Sequence, residues 1–375
     1  MTAFGVIAEF DPFHSGHKYL LEQASALTKA DVCVSVMSGN FVQRGRPAVY
    51  DKWKRSSQAV ENGVDLVVEM PQAYAISSAG YFAKAGVHIL NNLGVKYILF
   101  GSETGDIEYL REIARKTIDI EDNHSGLIKE YLGKGLSYPR AIQMAFDSIY
   151  TELSKDEKPG SNDILAIEYL KVIERLGLDI VPIAVPRKGE THHESSSAIR
   201  ENILRDPEEG PRLRNIYRNY YNLAKYSMLI RTGEEIDAYD SSREGIGNSL
   251  LSNLRKSKDL EYWIVSSKSK RYTYTRLSRL LASIVLDSKP KLLSISPNYI
   301  TPLAMSQAGS SYLKQIKKDR DIVVIDDIPK YLKYGDENLV RLLNLDIRAQ
   351  DVYNLLSDED MYINSDYVKK PLVLK

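Results

Sequence analysis

The sequence predicts an α/β protein, with a parallel sheet early in the chain and a mostly helical region after it. Three observations carry that reading. Over the first two hundred residues, short apolar runs alternate with stretches whose apolar residues recur at helical spacing. That is the pattern of βαβ units and of a sheet covered on both faces. Groups suited to chemistry fall at the ends of those runs, where open α/β sheets bind ligands. Past Pro211 the alternation fades, and Leu, Tyr and Arg recur at helical spacing through Leu213–Leu229 and Thr275–Leu286. We therefore expect a Rossmann-like domain over residues 1–210 and a mostly helical domain over 211–375, with one short strand at Ile322–Ile325. At 375 residues two domains are expected, since single cores rarely exceed about 250.

The first strand, Phe4–Phe10, runs through a Pro-containing turn into His14-Ser15-Gly16-His17, which opens a helix bearing Tyr19, Leu20, Ala24 and Leu27. A helix N-terminus offers unpartnered N–H groups at the positive end of its dipole, so anions favour it. Gly16 lets a phosphate approach the backbone, and His14 and His17 can donate to phosphoryl oxygens. Lys18 adds a cation, or is a solvated surface lysine. The element reads as a nucleotide-activating site. Zinc is the competing reading of two close histidines. However, Cys33 is the only cysteine and His192-His193 lies far away, so no metal site is expected.

The strand Val32–Met37 buries Cys33 and ends at Ser38-Gly39-Asn40. Lys52–Asn62 reads as a helix, Leu66–Glu69 as a strand and Ala79–Leu93 as a helix. Tyr97–Phe100 ends at Gly101-Ser102-Glu103, and Ile180–Val185 leads through Pro186 to Arg187-Lys188-Gly189. Arg187 is placed for a bidentate phosphate contact, or is an ordinary loop arginine. Asn162 suits the cap of the helix Asp163–Leu176. Ser241–Ser249 reads as a loop, or as a helix start at Asn248.

The 50 basic and 50 acidic residues cancel, which argues against nucleic-acid binding by the chain as a whole. Locally the balance fails. From Leu254 to Arg279, Arg255, Lys256, Lys258, Lys268, Lys270, Arg271, Arg276 and Arg279 face only Asp259 and Glu261. Tyr262, Trp263, Tyr272 and Tyr274 interleave with them as candidate stacking faces. A single cysteine excludes an internal disulfide and fits a reducing compartment. No apolar run reaches the about 18 residues of a membrane helix, and the chain opens without a basic leader. A cytoplasmic protein with no membrane partner is expected.

Together these motifs resemble the bacterial tRNA(Met) cytidine acetate ligase family, within the His-x-Gly-His nucleotidyltransferase superfamily. The resemblance covers most of the chain. It rests on Phe10–His17, Met37-Ser38-Gly39-Asn40-Phe41-Val42-Gln43-Arg44-Gly45 and Asp65-Leu66-Val67-Val68-Glu69-Met70-Pro71. It continues with Phe100–Glu103, Ser161-Asn162-Asp163-Ile164-Leu165, Arg187–Gly189 and Arg271-Tyr272-Thr273-Tyr274-Thr275-Arg276. Asp11 and Ser15 stand where the family more often has Asn, and neither change removes an imidazole. Ser195–Arg200 is similar to a shortened second phosphate motif, with Glu194 at a usually apolar position, which leaves the role of Ser197 open.

The resemblance implies a two-step reaction. Acetate attacks the α-phosphate of ATP, giving acetyl-adenylate and pyrophosphate. The wobble cytidine of elongator tRNA(Met) then takes the acetyl group at N4. ATP is the implied co-substrate, with room for Mg2+ beside its phosphates. The implied catalytic residues are His14, His17 and Lys18. The implied ATP contacts are Ile7, Ala8, Glu9, Phe10, Phe13, His14, Gly16, His17, Gly101, Asn162, Arg187 and Lys188. Gly101 would let the adenosine lie against the backbone, and Asn162 would meet a polar edge of the nucleotide. Lys268, Lys270, Arg271, Tyr274, Arg276 and Arg279 are the implied tRNA contacts. Two rivals stand beside this reading: a small-molecule adenylyltransferase of the same superfamily, and a tRNA-binding protein with a regulatory nucleotide site.

Overall fold

The computed structural model describes residues 1–152, 159–187, 196–240, 245–357 and 365–374. In chain order its strands are β1 (Ala3–Ala8), β2 (Val32–Ser38), β3 (Phe41–Val42), β4 (Arg46–Pro47), β5 (Leu66–Met70) and β6 (Tyr97–Ser102). Then come β7 (Val181–Pro186), β8 (Tyr299–Ile300), β9 (Pro302–Met305), β10 (Val323–Val324) and β11 (Leu372–Val373). The central sheet runs β11-β9-β5-β2-β1-β6-β7. Its five strands from the first two hundred residues are mutually parallel, and all five were expected. The order reverses between β1 and β6, so the topological switch point lies there.

Alternation along the strands sorts side chains into two layers. Val32, Val34 and Val36 of β2, Leu66 and Val68 of β5 and Ile98 of β6 join the larger core. Their neighbours Cys33, Met37, Val67 and Leu99 fall on the opposite face, packed with Phe4, Val6 and Leu21. Cys33 is buried, as its place in an apolar run predicted.

The region beyond residue 210 is mostly helical, and the short strand expected at Ile322–Ile325 is β10, paired with β8. Three further strands there, β8, β9 and β11, were not expected. β9 pairs antiparallel with β5, and β11 parallel with β9, so the distal chain completes the sheet. Strands of two to four residues are too short to show a period of two, which is why the sequence hid them. Leu66, Val68, Met305, Leu342 and Tyr353 belong to one buried cluster, so residues from before and after position 210 share a core.

A buried charge cluster ties the ends of this architecture together. Lys52 Nζ lies 2.7 Å from Glu69 Oε2 and 2.7 Å from Asp366 Oδ2, with all three side chains buried. Burial alone would strip the ammonium of its proton. The charges of Asp366 and Glu69 outweigh that, holding Lys52 above its ordinary range. Among the described residues no helix is long and apolar enough to cross a membrane.

Candidate active site

A cavity of about 630 Å³ opens at the switch point, over the carboxyl ends of β1, β6 and β7. Glu9, Gly101 and Arg187 line it from those three strand ends. Phe10, two residues past β1, takes a left-handed backbone (φ 46°) although it is buried. A bulky residue in that region stores strain of order 1–3 kcal/mol, which proteins retain mainly at functional sites.

The helix Ser15–Thr28 starts in an unusual way. His14 is its N-cap, and His14 Nδ1 accepts the Gly16 N–H at 3.1 Å. Three residues on, His17 Nδ1 accepts the His14 N–H at 3.3 Å. The pair thus forms a reciprocal capping box with imidazoles in place of the usual hydroxyl and carboxylate. Because each Nδ1 accepts, each neutral ring carries its proton on Nε2. His14 Nε2 lies 3.0 Å from Ser196 Oγ. The rings stack with centroids 3.8 Å apart. Burial first, and then the charges of His14 and Arg187, push the pKa of His17 well below the usual histidine range, so at neutral pH it is a neutral N–H donor.

Cations gather on the same side. Arg44, Arg187 and Arg200 all line the cavity, as do Ser196 and Ser197. Arg200 donates to Ser197 Oγ at 2.9 Å, while burial and the nearby Arg46 pull its pKa down to about 10. Asp11 holds this wall in place: it pairs with Arg46 at 2.7 Å and accepts the Val49 N–H at 2.6 Å. The wall is suited to a polyanion, with neutral donors at one point and guanidinium groups around it.

The segment Gly39–Gly45 gains its geometry from the β3–β4 hairpin. Asn40 bonds Gln350 Oε1 at 2.8 Å and accepts the Lys52 N–H, and Gln72 bonds Phe41 at both backbone groups. Gly45 has φ 73°, and a Cβ there would lie 2.3 Å from the backbone nitrogen of Arg279. Ser278 Oγ donates to the Gly45 carbonyl at 2.9 Å. The hairpin that supplies Gln43 and Arg44 to the cavity is therefore locked onto the helix Tyr274–Val285.

Of the expected ATP contacts, Ile7, Ala8, Glu9, Phe10, His14, Gly16, His17, Gly101, Asn162 and Arg187 line this cavity. Phe13 stands behind them, its ring 5.1 Å from Phe10 and 5.5 Å from His17. Lys18 is exposed and is not part of the lining. Lys188 lies outside the described residues, as do His192, His193 and Glu194. The helix Ser161–Leu176 is capped at Gly160, not Asn162; Asn162 instead donates its side-chain N–H to Glu103 Oε1 at 2.7 Å. Arg44, Arg200, Ser196 and Tyr169 line the cavity without having been assigned to it from sequence. Arg44, in the Gly39–Gly45 motif, and Ser196 and Arg200, in the segment similar to a second phosphate motif, had a usable signal, whereas Tyr169 had none. Among the described residues no group of three His, Cys, Asp or Glu could hold a metal ion.

The basic segment divides. Lys268 and Lys270 are exposed. Arg276 is not the uncancelled charge that its neighbours in sequence suggest, because Asp240 pairs with it at 2.8 Å and its guanidinium lies 4.1 Å from the centre of the Tyr272 ring. Arg271 donates to the Leu132 carbonyl at 2.8 Å. Burial, and then the neighbouring Arg276, pull the pKa of Arg279 down to about 10. Trp263 and Tyr272 are buried core residues, with Trp263 Nε1 bonded to the Leu250 carbonyl, so neither is a stacking face. Tyr262 is exposed, and the half-buried Tyr274 donates to Glu261 at 2.6 Å.

A doubly wound sheet with a His-x-Gly-His cap at its switch point defines a nucleotidyltransferase. A family model described as HIGH Nucleotidyl Transferase matches residues 1–366, and the chain belongs to that family. Curated relatives narrow the assignment. The tRNA(Met) cytidine acetate ligase of Clostridium perfringens (strain SM101 / Type A) is 36% identical over 413 residues, covering 100% of both chains. That of Caldicellulosiruptor saccharolyticus is 35% identical over 404 residues, covering 100% of this chain and 99% of the relative. The chain is a member of the tRNA(Met) cytidine acetate ligase family. The crystal structure of Thermotoga maritima TmcAL bound with alpha-thio ATP matches with a TM-score of 0.88 at 29% identity, both chains being covered in full.

Proposed function

We propose that this protein is an ATP-dependent ligase that makes acetyl-adenylate from acetate and passes the acetyl group to N4 of the wobble cytidine in elongator tRNA(Met). The names of its relatives and the nucleotide analogue bound by the Thermotoga protein support the reading. The observation that carries it is the reciprocal cap of His14 and His17, with each Nδ1 bonded to backbone. Two neutral imidazoles so fixed aim donors at an α-phosphate without adding charge that would have to be desolvated.

In the first step an acetate oxygen attacks the α-phosphorus and pyrophosphate leaves. His14 and His17 donate to the non-bridging oxygens as charge builds there. Arg44, Arg187 and Arg200 balance the departing phosphates, a task of positioning and neutralisation. Mg2+ would arrive on the triphosphate. In the second step the exocyclic amine takes the acetyl group and AMP leaves. The ATP contacts belong to residues 1–210, and Lys268 and Lys270 lead the surface that meets tRNA phosphates. The test is acetate-dependent pyrophosphate release from ATP, followed by nucleoside mass spectrometry of the tRNA. ATP turnover that ignores acetate but requires another metabolite would favour a small-molecule adenylyltransferase.

A further inference from the structure

We propose that Glu9 accepts the proton of the attacking cytosine amine during acetyl transfer, with Tyr169 and Phe82 holding the base beside it. The proposal rests on the acetyl-transfer reading above and adds a catalytic residue and a base subsite to it. Glu9 follows the last residue of β1 and lines the cavity. Its Oε1 is engaged by the Gln43 N–H at 2.6 Å, which leaves Oε2 without a protein donor among the described residues. Tyr169 lines the same cavity close enough to feel the charge of Glu9; it is only 2% exposed, and its hydroxyl has no hydrogen-bond partner among the described residues. A buried tyrosine hydroxyl almost always has one, so this group is waiting for a ligand. Phe82 and Phe100 supply apolar walls beside it, the Phe100 and Tyr169 rings being 5.8 Å apart.

The chemistry of the two polar groups selects an occupant. An unengaged carboxylate oxygen accepts from an exocyclic amine, as acidic side chains do from cytosine N4. A phenol donates to a ring nitrogen or carbonyl on the same base edge. Aromatic walls stack an unpaired base drawn out of its loop. Uracil, with a carbonyl at position 4, would set one acceptor against another and be refused. Burial, followed by the charge of Asp11, raises the pKa of Glu9 above the usual carboxylate value, making it a better proton acceptor at neutral pH.

The step balances. N4 attacks the acetyl carbonyl carbon and the C–N bond forms. The N4 proton passes to Glu9 Oε2. The tetrahedral intermediate collapses, re-forming the carbonyl and breaking the bond between the acyl carbon and the AMP phosphate oxygen, and AMP leaves with that electron pair. Glu9 then releases its proton to water.

The experiment supplies saturating preformed acetyl-adenylate and elongator tRNA(Met) to the full-length protein without ATP, so weakened nucleotide binding by a variant does not enter. Single-turnover transfer by Glu9→Gln should be at least about 100-fold slower than wild type, the usual contribution of a positioned base. The wild-type rate should rise with pH on its acid limb, and Glu9→Gln should lose that limb, whereas Glu9→Asp should restore part of it. Tyr169→Phe should raise the tRNA concentration needed for half-maximal transfer. Transfer by Glu9→Gln at the wild-type rate, or with the acid limb intact, would overturn the proposal. Failure of the wild-type protein itself to transfer acetyl would overturn the ligase reading and not the assignment of Glu9 alone.

Discussion

His14 and His17 lie with their ring centroids 3.8 Å apart, each carrying a backbone N–H on its Nδ1. The spacing of the motif is thereby explained: His17 stands at N3, three positions after the N-cap His14, which is the separation of a capping box. Removing either ring should remove both a phosphate donor and a cap. His17→Ala is expected to slow acetate-dependent pyrophosphate release by about 100-fold or more. A folded His17→Ala protein with near-normal release would sink the assignment.

The same residue sets a pH dependence. Its folded pKa lies well below the histidine value of 6.5, so the unfolded chain binds the proton that the folded site refuses. Stability from this group is then present above about pH 6.5 and is lost as pH falls below it, by up to about 1.4 kcal/mol per pH unit. Thermal melts of wild type and His17→Gln between about pH 5 and 7 should converge toward the acid end. Parallel curves would show that His17 titrates normally.

The contact between Gly45 and the backbone of Arg279 joins the cavity wall to the basic segment. Gly45→Ala should cost roughly 1–3 kcal/mol, from the left-handed backbone and the overlap together. Both Tm and tRNA affinity should fall, because the hairpin and the helix Tyr274–Val285 must separate. Unchanged affinity with a lowered Tm would mean that the helix does not carry RNA.

Exposed Lys268 and Lys270 offer a cleaner probe of RNA docking than Arg276, which Asp240 already engages. Replacing both with Ala should weaken tRNA binding and flatten the salt dependence by roughly one to two units of slope. Pyrophosphate release without tRNA should be unaffected. An unchanged slope would move the RNA surface elsewhere. Arg276→Ala, by contrast, should destabilise the fold by exposing Asp240 and Tyr272.

Lys52→Met should destabilise by roughly 3–5 kcal/mol, since Glu69 and Asp366 would be left as an unpaired buried pair. Denaturant melts would measure it. A change of less than about 1 kcal/mol would mean that the cluster relaxes by protonation.

The parallel strands were legible because β1, β2, β5, β6 and β7 are five to seven residues long and almost wholly apolar. The phosphate wall was partly legible, because His14, Gly16, His17 and Arg187 follow strand ends. Ser196 and Arg200 lay in a segment similar to a phosphate motif but went without assigned roles, because they reach the cavity through the packing of the helix Ser196–Arg205 against the turn at Asp11. Tyr169 escaped for another reason: on an apolar helix face a tyrosine reads as core, and only the orphaned hydroxyl distinguishes it. Charge counting failed at Arg276 because its counter-ion lies 36 residues upstream.

Lys52 meets its second carboxylate 314 residues later in the chain. At ordinary bacterial synthesis rates, that interval is roughly a quarter of a minute to a minute. A nascent chain stopped near residue 300 holds the lysine with half its counter-charge and presents the open edge of β5 to its neighbours on the polysome. Chains ending near residue 300, before β9, are therefore expected to aggregate rather than to give a smaller working enzyme.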